Sequence, residues 1–132
     1  MSNLAAEPEY LSHATLMVLG TSLDPSDVSS ALGLRPTQAW TRGDAHKWGG
    51  WKKSLPASQT SKPLPSQLRF WIRTLRGRAK AISKLAAAGH LCALDCYIGT
   101  DSTASIIVPA NLQSELAALG LELRLSVFAN GG

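Results

Sequence analysis

The sequence predicts an α+β fold: one domain, with a mostly antiparallel sheet of about four to six strands and two or three helices packed on it. Two observations carry that prediction. Apolar residues recur with period two in some segments and at three- and four-residue spacing in others. These segments follow one another in mixed order: strand, helix, irregular or strand, helix, strand, strand, helix, strand. At 132 residues, with 45% hydrophobic and 17% charged residues, the chain suits a single domain with a real core.

Residues 1–12 read as a flexible leader and residues 13–130 as the domain. His13 to Gly20 is apolar and ends at a glycine, as a buried first strand does. Asp24-Pro25-Ser26-Asp27 announces a short helix. Asp24 can cap it, Pro25 suits its first turn, Asp27 complements its positive end and Gly33 stops it. Residues 34–63 are the least regular. They hold Pro36, Trp40, Trp48, Trp51, Gly43, Gly49 and Gly50, with short strands expected around Ala39–Thr41 and Gly50–Lys53. The Ser/Thr/Pro-rich run from Ser54 to Lys62 is expected to be a mobile loop.

Pro65 and Ser66 open the longest predicted helix, which runs to Ala88. Leu68, Ile72, Leu75, Ala79, Ile82 and Ala86 recur at the spacing of one helix face. Gly77 sits mid-helix, where glycine costs about 1 kcal/mol relative to alanine, and marks where a kink or break would fall. Gly89 ends the helix. In Leu91–Ile98, Cys92, Leu94, Cys96 and Ile98 alternate onto one strand face. A turn at Gly99–Ser102 leads to a second predicted strand, Thr103–Val108. Asn111 can cap a helix over Leu112–Leu119, closed by Gly120. Leu121, Leu123, Leu125 and Val127 then alternate with Glu122, Arg124 and Ser126, the clearest strand pattern in the chain.

Charge is distributed unevenly. Ten of the thirteen basic residues lie between Asp44 and Asp95, with no acid among them. Five of these, Arg69, Arg73, Arg76, Lys80 and Lys84, form a stripe opposite the predicted core face of the long helix. A one-signed region attracts partners of opposite charge. The two cysteines, Cys92 and Cys96, fit a reducing compartment. Met1 to Leu11 carries Glu7 and Glu9 and no basic residue, unlike a secretory signal. No apolar run reaches the roughly 20 residues of a membrane helix. A cytoplasmic protein without a membrane partner is expected.

Several motifs together resemble an uncharacterised, largely bacterial family, domain of unknown function 4279. They are Ala14–Gly20, Leu23-Asp24-Pro25 with Val28, and Leu32-Gly33-Leu34. Pro36-Thr37-x-x-Trp40-x-Arg42-Gly43-Asp44 follows, with Trp48 or Trp51 as a second tryptophan, and then Leu119-Gly120-Leu121-Glu122-Leu123. The likeness covers most of residues 14–128. It implies a fold class and brings no established activity or catalytic residues, so function has to come from the sites.

Two candidate contact regions stand out. Trp40, Arg42, Asp44, Trp48 and Trp51 cluster within twelve residues, together with His46. Tryptophan with arginine is the composition of interface hot spots. Trp40 can equally anchor the segment to the core while Arg42 and Asp44 pair across a turn. The second region is the stripe Arg69, Arg73, Arg76, Lys80 and Lys84. It could track phosphates, dock an acidic protein, rest on lipid headgroups, or be a solvated helix face. Its lack of acids argues against the last, because solvated helices mix signs to gain ion pairs.

His90, Cys92 and Cys96 share one side of a strand, but the spacing is wrong for a zinc knuckle, and core positions are expected. No nucleophile elbow, phosphate loop or dinucleotide fingerprint is present. His46 with Asp44 is the one acid–base pairing to name. The expectation is therefore a non-catalytic binding protein with no cofactor and no metal. Its immunity-type form neutralises a toxin that presents an acidic patch. An RNA-binding module and a small enzyme of unknown reaction are the alternatives.

Overall fold

β1 (Leu11–Gly20) is the hub of the sheet. The computed structural model describes residues 10–43 and 45–129. Much of the expected leader, residues 1–9, lies outside the described residues. Its last part belongs to the fold: Leu11 and Ser12 are in β1, and Tyr10 is buried with its hydroxyl accepting from the Leu64 amide at 3.1 Å.

Along the chain follow α1 (Pro25–Leu32), β2 (Gln38–Trp40), β3 (Gly49–Lys53), a 3-10 turn (Ala57–Gln59), α2 (Leu64–Thr74), α3 (Ala79–Ala87), β4 (Leu91–Thr100), α4 (Ala110–Leu119) and β5 (Glu122–Ala129). The sheet order is β2-β3-β1-β4-β5. Three neighbouring pairs are antiparallel, and β4 with β5 is parallel. The fold is thus α+β with a mostly antiparallel sheet, as the element order predicts.

The helices cover one face of this sheet. Leu16, Val18, Trp51, Leu94 and Cys96 share a core with Leu68, Trp71, Leu75, Ile82 and Leu85, to which α4 adds Leu112 and Leu116. Fully burying side chains of this size contributes about 1.5–3 kcal/mol each. Trp71 also donates its indole N–H to the Ala14 carbonyl at 2.7 Å, tying α2 to β1. The opposite face carries no helix. Its cross-strand rows include Lys52–Met17–Ala93–Glu122, Thr15–Asp95–Arg124 and His13–Tyr97–Ser126.

Three local expectations are corrected. The helix predicted from Pro65 to Ala88 is two helices, because Gly77 takes φ +84°, a left-handed conformation that ends α2 rather than bending it. Arg78 fills the junction, its guanidinium donating to the Leu32 and Thr74 carbonyls at the ends of α1 and α2. The strand predicted over Thr103–Val108 has no ladder. β4 already has β1 on one side and β5 on the other, so residues 101–121 form the crossover that a parallel pair demands. Ala104, Ile106 and Val108 nevertheless lean on the core, which explains the alternating pattern. The Ser54–Lys62 segment, expected as a mobile loop, is tied down. Leu55 is buried, and the Gln59 and Lys62 carbonyls accept from the Gln67 side chain at 3.2 and 3.1 Å.

Candidate functional site

The tryptophan-bearing segment separates into roles that its sequence does not distinguish. Trp51 is fully buried in β3, opposite Val18, and donates to the Ser29 hydroxyl at 3.0 Å. It is a core residue, which corrects its place among the contact residues. Trp40 is half-buried on the helix-free face, directly opposite Gly50. Its ring occupies the space above that glycine, where a Cβ would collide with it. The indole N–H donates to the Trp48 carbonyl at 3.1 Å, the His46 ring lies at 5.2 Å, and the Lys52 ammonium sits 5.9 Å from the ring centroid. Trp40 therefore holds the turn between β2 and β3. Trp48 is half exposed, and Arg42, six residues earlier, is exposed too. Asp44 lies outside the described residues, so the Arg42–Asp44 and His46–Asp44 pairings do too.

The basic stripe keeps its exposure but loses its continuity. Arg69, Arg73 and Arg76 line a groove of about 180 Å³ against Asn111, Leu112 and Glu115 of α4. Lys80 and Lys84 line a second groove, of about 450 Å³, between α3 and α1, with Asp27. The break at Gly77 divides the stripe in this way. Among the described residues the single ion pair is Arg124 with Asp95, at 3.4 Å, on the helix-free face. Glu115 and Asp27 share the grooves without closing an ion pair, so the five cations pair with no described acid. The first groove falls below the 300–1,000 Å³ of ordinary small-molecule sites. The second has that volume, but only Asp27, Lys80 and Lys84 are polar in its lining.

The two candidate regions do not meet. Trp40 faces away from the helices, whereas the cations lie on the helix layer. A single partner of ordinary interface size engages one face or the other.

Groups with chemical potential are scattered. Burial, reinforced by Glu122, pushes the Cys92 thiol up to about 11, and burial with Asp95 pushes Cys96 up to about 12. Neither is a thiolate at neutral pH. His13 stacks at 6.2 Å on Tyr97 of the open face, and His90 packs against Gly20. Among the described residues no group of three His, Cys, Asp or Glu could hold a metal ion. No described helix is long and apolar enough to cross a membrane.

One surface lies outside both candidate regions. β5, whose alternation reads as a half-buried strand, is exposed along nearly its whole length. Leu123, Leu125 and Val127 point to the helix side of the sheet yet remain exposed, and Phe128 stacks on Tyr97 at 5.1 Å on the other side.

A family model described as "Domain of unknown function (DUF4279)" matches residues 9–130. No curated protein and no solved structure matches the chain.

Proposed function

The chain belongs to the domain of unknown function 4279 family, and because membership carries no activity we propose a function from the chain's own surfaces: a non-catalytic, cytoplasmic binding protein that captures an acidic protein partner. In its immunity-type form, the partner is a bacterial toxin that the bound protein neutralises. The observation that supports this reading is the helix-layer surface of Arg69, Arg73, Arg76, Lys80 and Lys84, which makes no ion pair with any described acid. Cations clustered on one helical layer steer an acidic partner and speed its capture. Catalysis finds less support, because the histidines sit apart and both cysteines are buried thiols.

The test is co-expression with the product of the adjacent gene. A stable complex that weakens with salt, and protection of cells producing that protein, are expected. Absence of both overturns the reading. One observation favours RNA instead: His13, Tyr97 and Phe128 form a ring-stacked row on the open sheet face, the arrangement on which sheet-based modules stack bases. That row ranks second because the five-cation stripe lies on the other face, and of the open face's Lys52 and Arg124 the latter is paired with Asp95. Titration with single-stranded RNA separates the two readings. RNA binding lost on Tyr97→Ala and retained on Arg73→Glu would select the sheet face.

A further inference from the structure

The two edges of the sheet are built differently. β2 is three residues long, and short edge strands resist unwanted pairing. β5 has eight residues, from Glu122 to Ala129, with no lysine and no proline. Its register against β4 runs unbroken from Ala93↔Glu122 to Thr100↔Ala129, so no bulge twists it away. Its outer backbone edge has no neighbouring strand among the described residues. Leu123, Leu125 and Val127 are 36%, 54% and 62% exposed on one face, and Phe128 is 52% exposed on the other. Val127 extends the apolar stripe into a crevice it shares with Ile98, Ala104 and Ile106. A long, flat, apolar edge without protection is a site for strand addition.

We propose that β5 pairs antiparallel with β5 of a second copy of this chain, about a two-fold axis at Leu125, joining the two sheets into one.

Charge argues for a second copy. The protein carries net +4, and most of its cations lie on the helix layer and β3. β5 carries one Glu and one Arg, and Arg124 is already paired with Asp95. It is therefore a surface where two positively charged copies meet with little repulsion.

The sequence of β5 is self-complementary in one register. With Leu125 opposite its own copy, Leu123 faces Val127, Arg124 faces Ser126 and Glu122 faces Phe128. Every large apolar residue of the stripe meets another. Centring the axis on Arg124 sets two arginines directly opposite each other, a destabilising pair. Centring it on Ser126 sets Leu123 against Ala129, which pairs a large apolar residue of the stripe with a methyl group.

The test uses the whole chain. Light scattering should show a dimer that Leu125→Lys converts to a monomer with unchanged circular dichroism, since Leu125 is more than half exposed. Directly opposed strand residues lie about 4.5–5.5 Å apart, within disulfide reach. Leu125→Cys should therefore form an intermolecular disulfide on mild oxidation, with the buried Cys92 and Cys96 not competing. Leu11→Cys, exposed on β1, is the control and should remain a free thiol. A wild-type protein that stays monomeric at every concentration overturns the proposal. So does a dimer that survives Leu125→Lys and cross-links no better at 125 than at 11. The basic surface is not involved, so partner capture and self-pairing stand or fall separately.

Discussion

Gln67 is a fully buried polar side chain joining three segments. Its carbonyl oxygen accepts from the Ser12 hydroxyl and the Ala14 amide of β1, at 3.2 and 3.1 Å. Its amide nitrogen donates to the Ser12 carbonyl at 2.8 Å and to the Gln59 and Lys62 carbonyls. Gln67→Leu keeps similar bulk but leaves buried backbone groups unpaired, at about 1–3 kcal/mol for each group that water cannot reach. Denaturant titration should show a lower midpoint with an unchanged slope. The sequence holds a trace of this residue: it falls three after Leu64 and four before Trp71, on their face of α2. Polarity conceals it, because a glutamine there reads as surface until β1 is known to run alongside. The cysteines are the converse, legible as core from composition alone. Their raised thiols set a pH dependence. Unfolded cysteines ionise near 9, whereas in the fold these reach about 11 and 12. Above pH 9 the unfolded chain binds fewer protons than the native one, so stability falls as pH rises from 9 towards 11. Cys92→Ala/Cys96→Ala should flatten that decline in melts recorded across the same range.

Between α2 and α3 the backbone decides the architecture. Gly77 adopts φ +84°, with open space where a Cβ would stand. Gly77→Ala therefore meets no clash and costs conformational strain alone, about 1 kcal/mol. A thermal melt gives the sign. In a continuous helix the same change would stabilise by a similar amount, so a raised midpoint would contradict the break. The glycine signal was legible as an interruption. Its left-handed form was not, because that depends on Arg78 closing the α1 and α2 ends together. Long-range pairing accounts for the other differences. Trp51 faces Val18 across more than thirty residues of sequence, and only the β1–β3 register separates it from Trp40 and Trp48. Thr103–Val108 has strand-like alternation, but the place beside β4 is taken by β5, whose clear strand pattern carries no sign that it stands at an edge.

Across the molecule, charge and apolar exposure are partitioned: a cationic stripe on the helix layer, aromatic rings on the bare sheet face, and at β5 an apolar edge whose one Glu and one Arg balance. The cationic excess was legible because it needs only counting. Its division into two grooves was not, since that follows from the break at Gly77. The partition allows stability and binding to be read apart in one variant. Arg69 lies mid-helix in α2, four residues before Arg73, so the two repel. Arg69→Glu replaces that repulsion with a glutamate placed N-terminal to an arginine, the favourable orientation, worth about 0.2–0.5 kcal/mol. Glu115 across the groove offsets part of the gain. The melting temperature should therefore hold or rise slightly at low salt. Association with an acidic partner should slow, and its salt dependence should shrink, because a steering charge has been reversed. If the basic layer is only a solvated surface, the first effect appears without the second. Measuring the melting temperature and the association rate on the same protein, at two ionic strengths, decides between a surface that tolerates its charges and one that uses them.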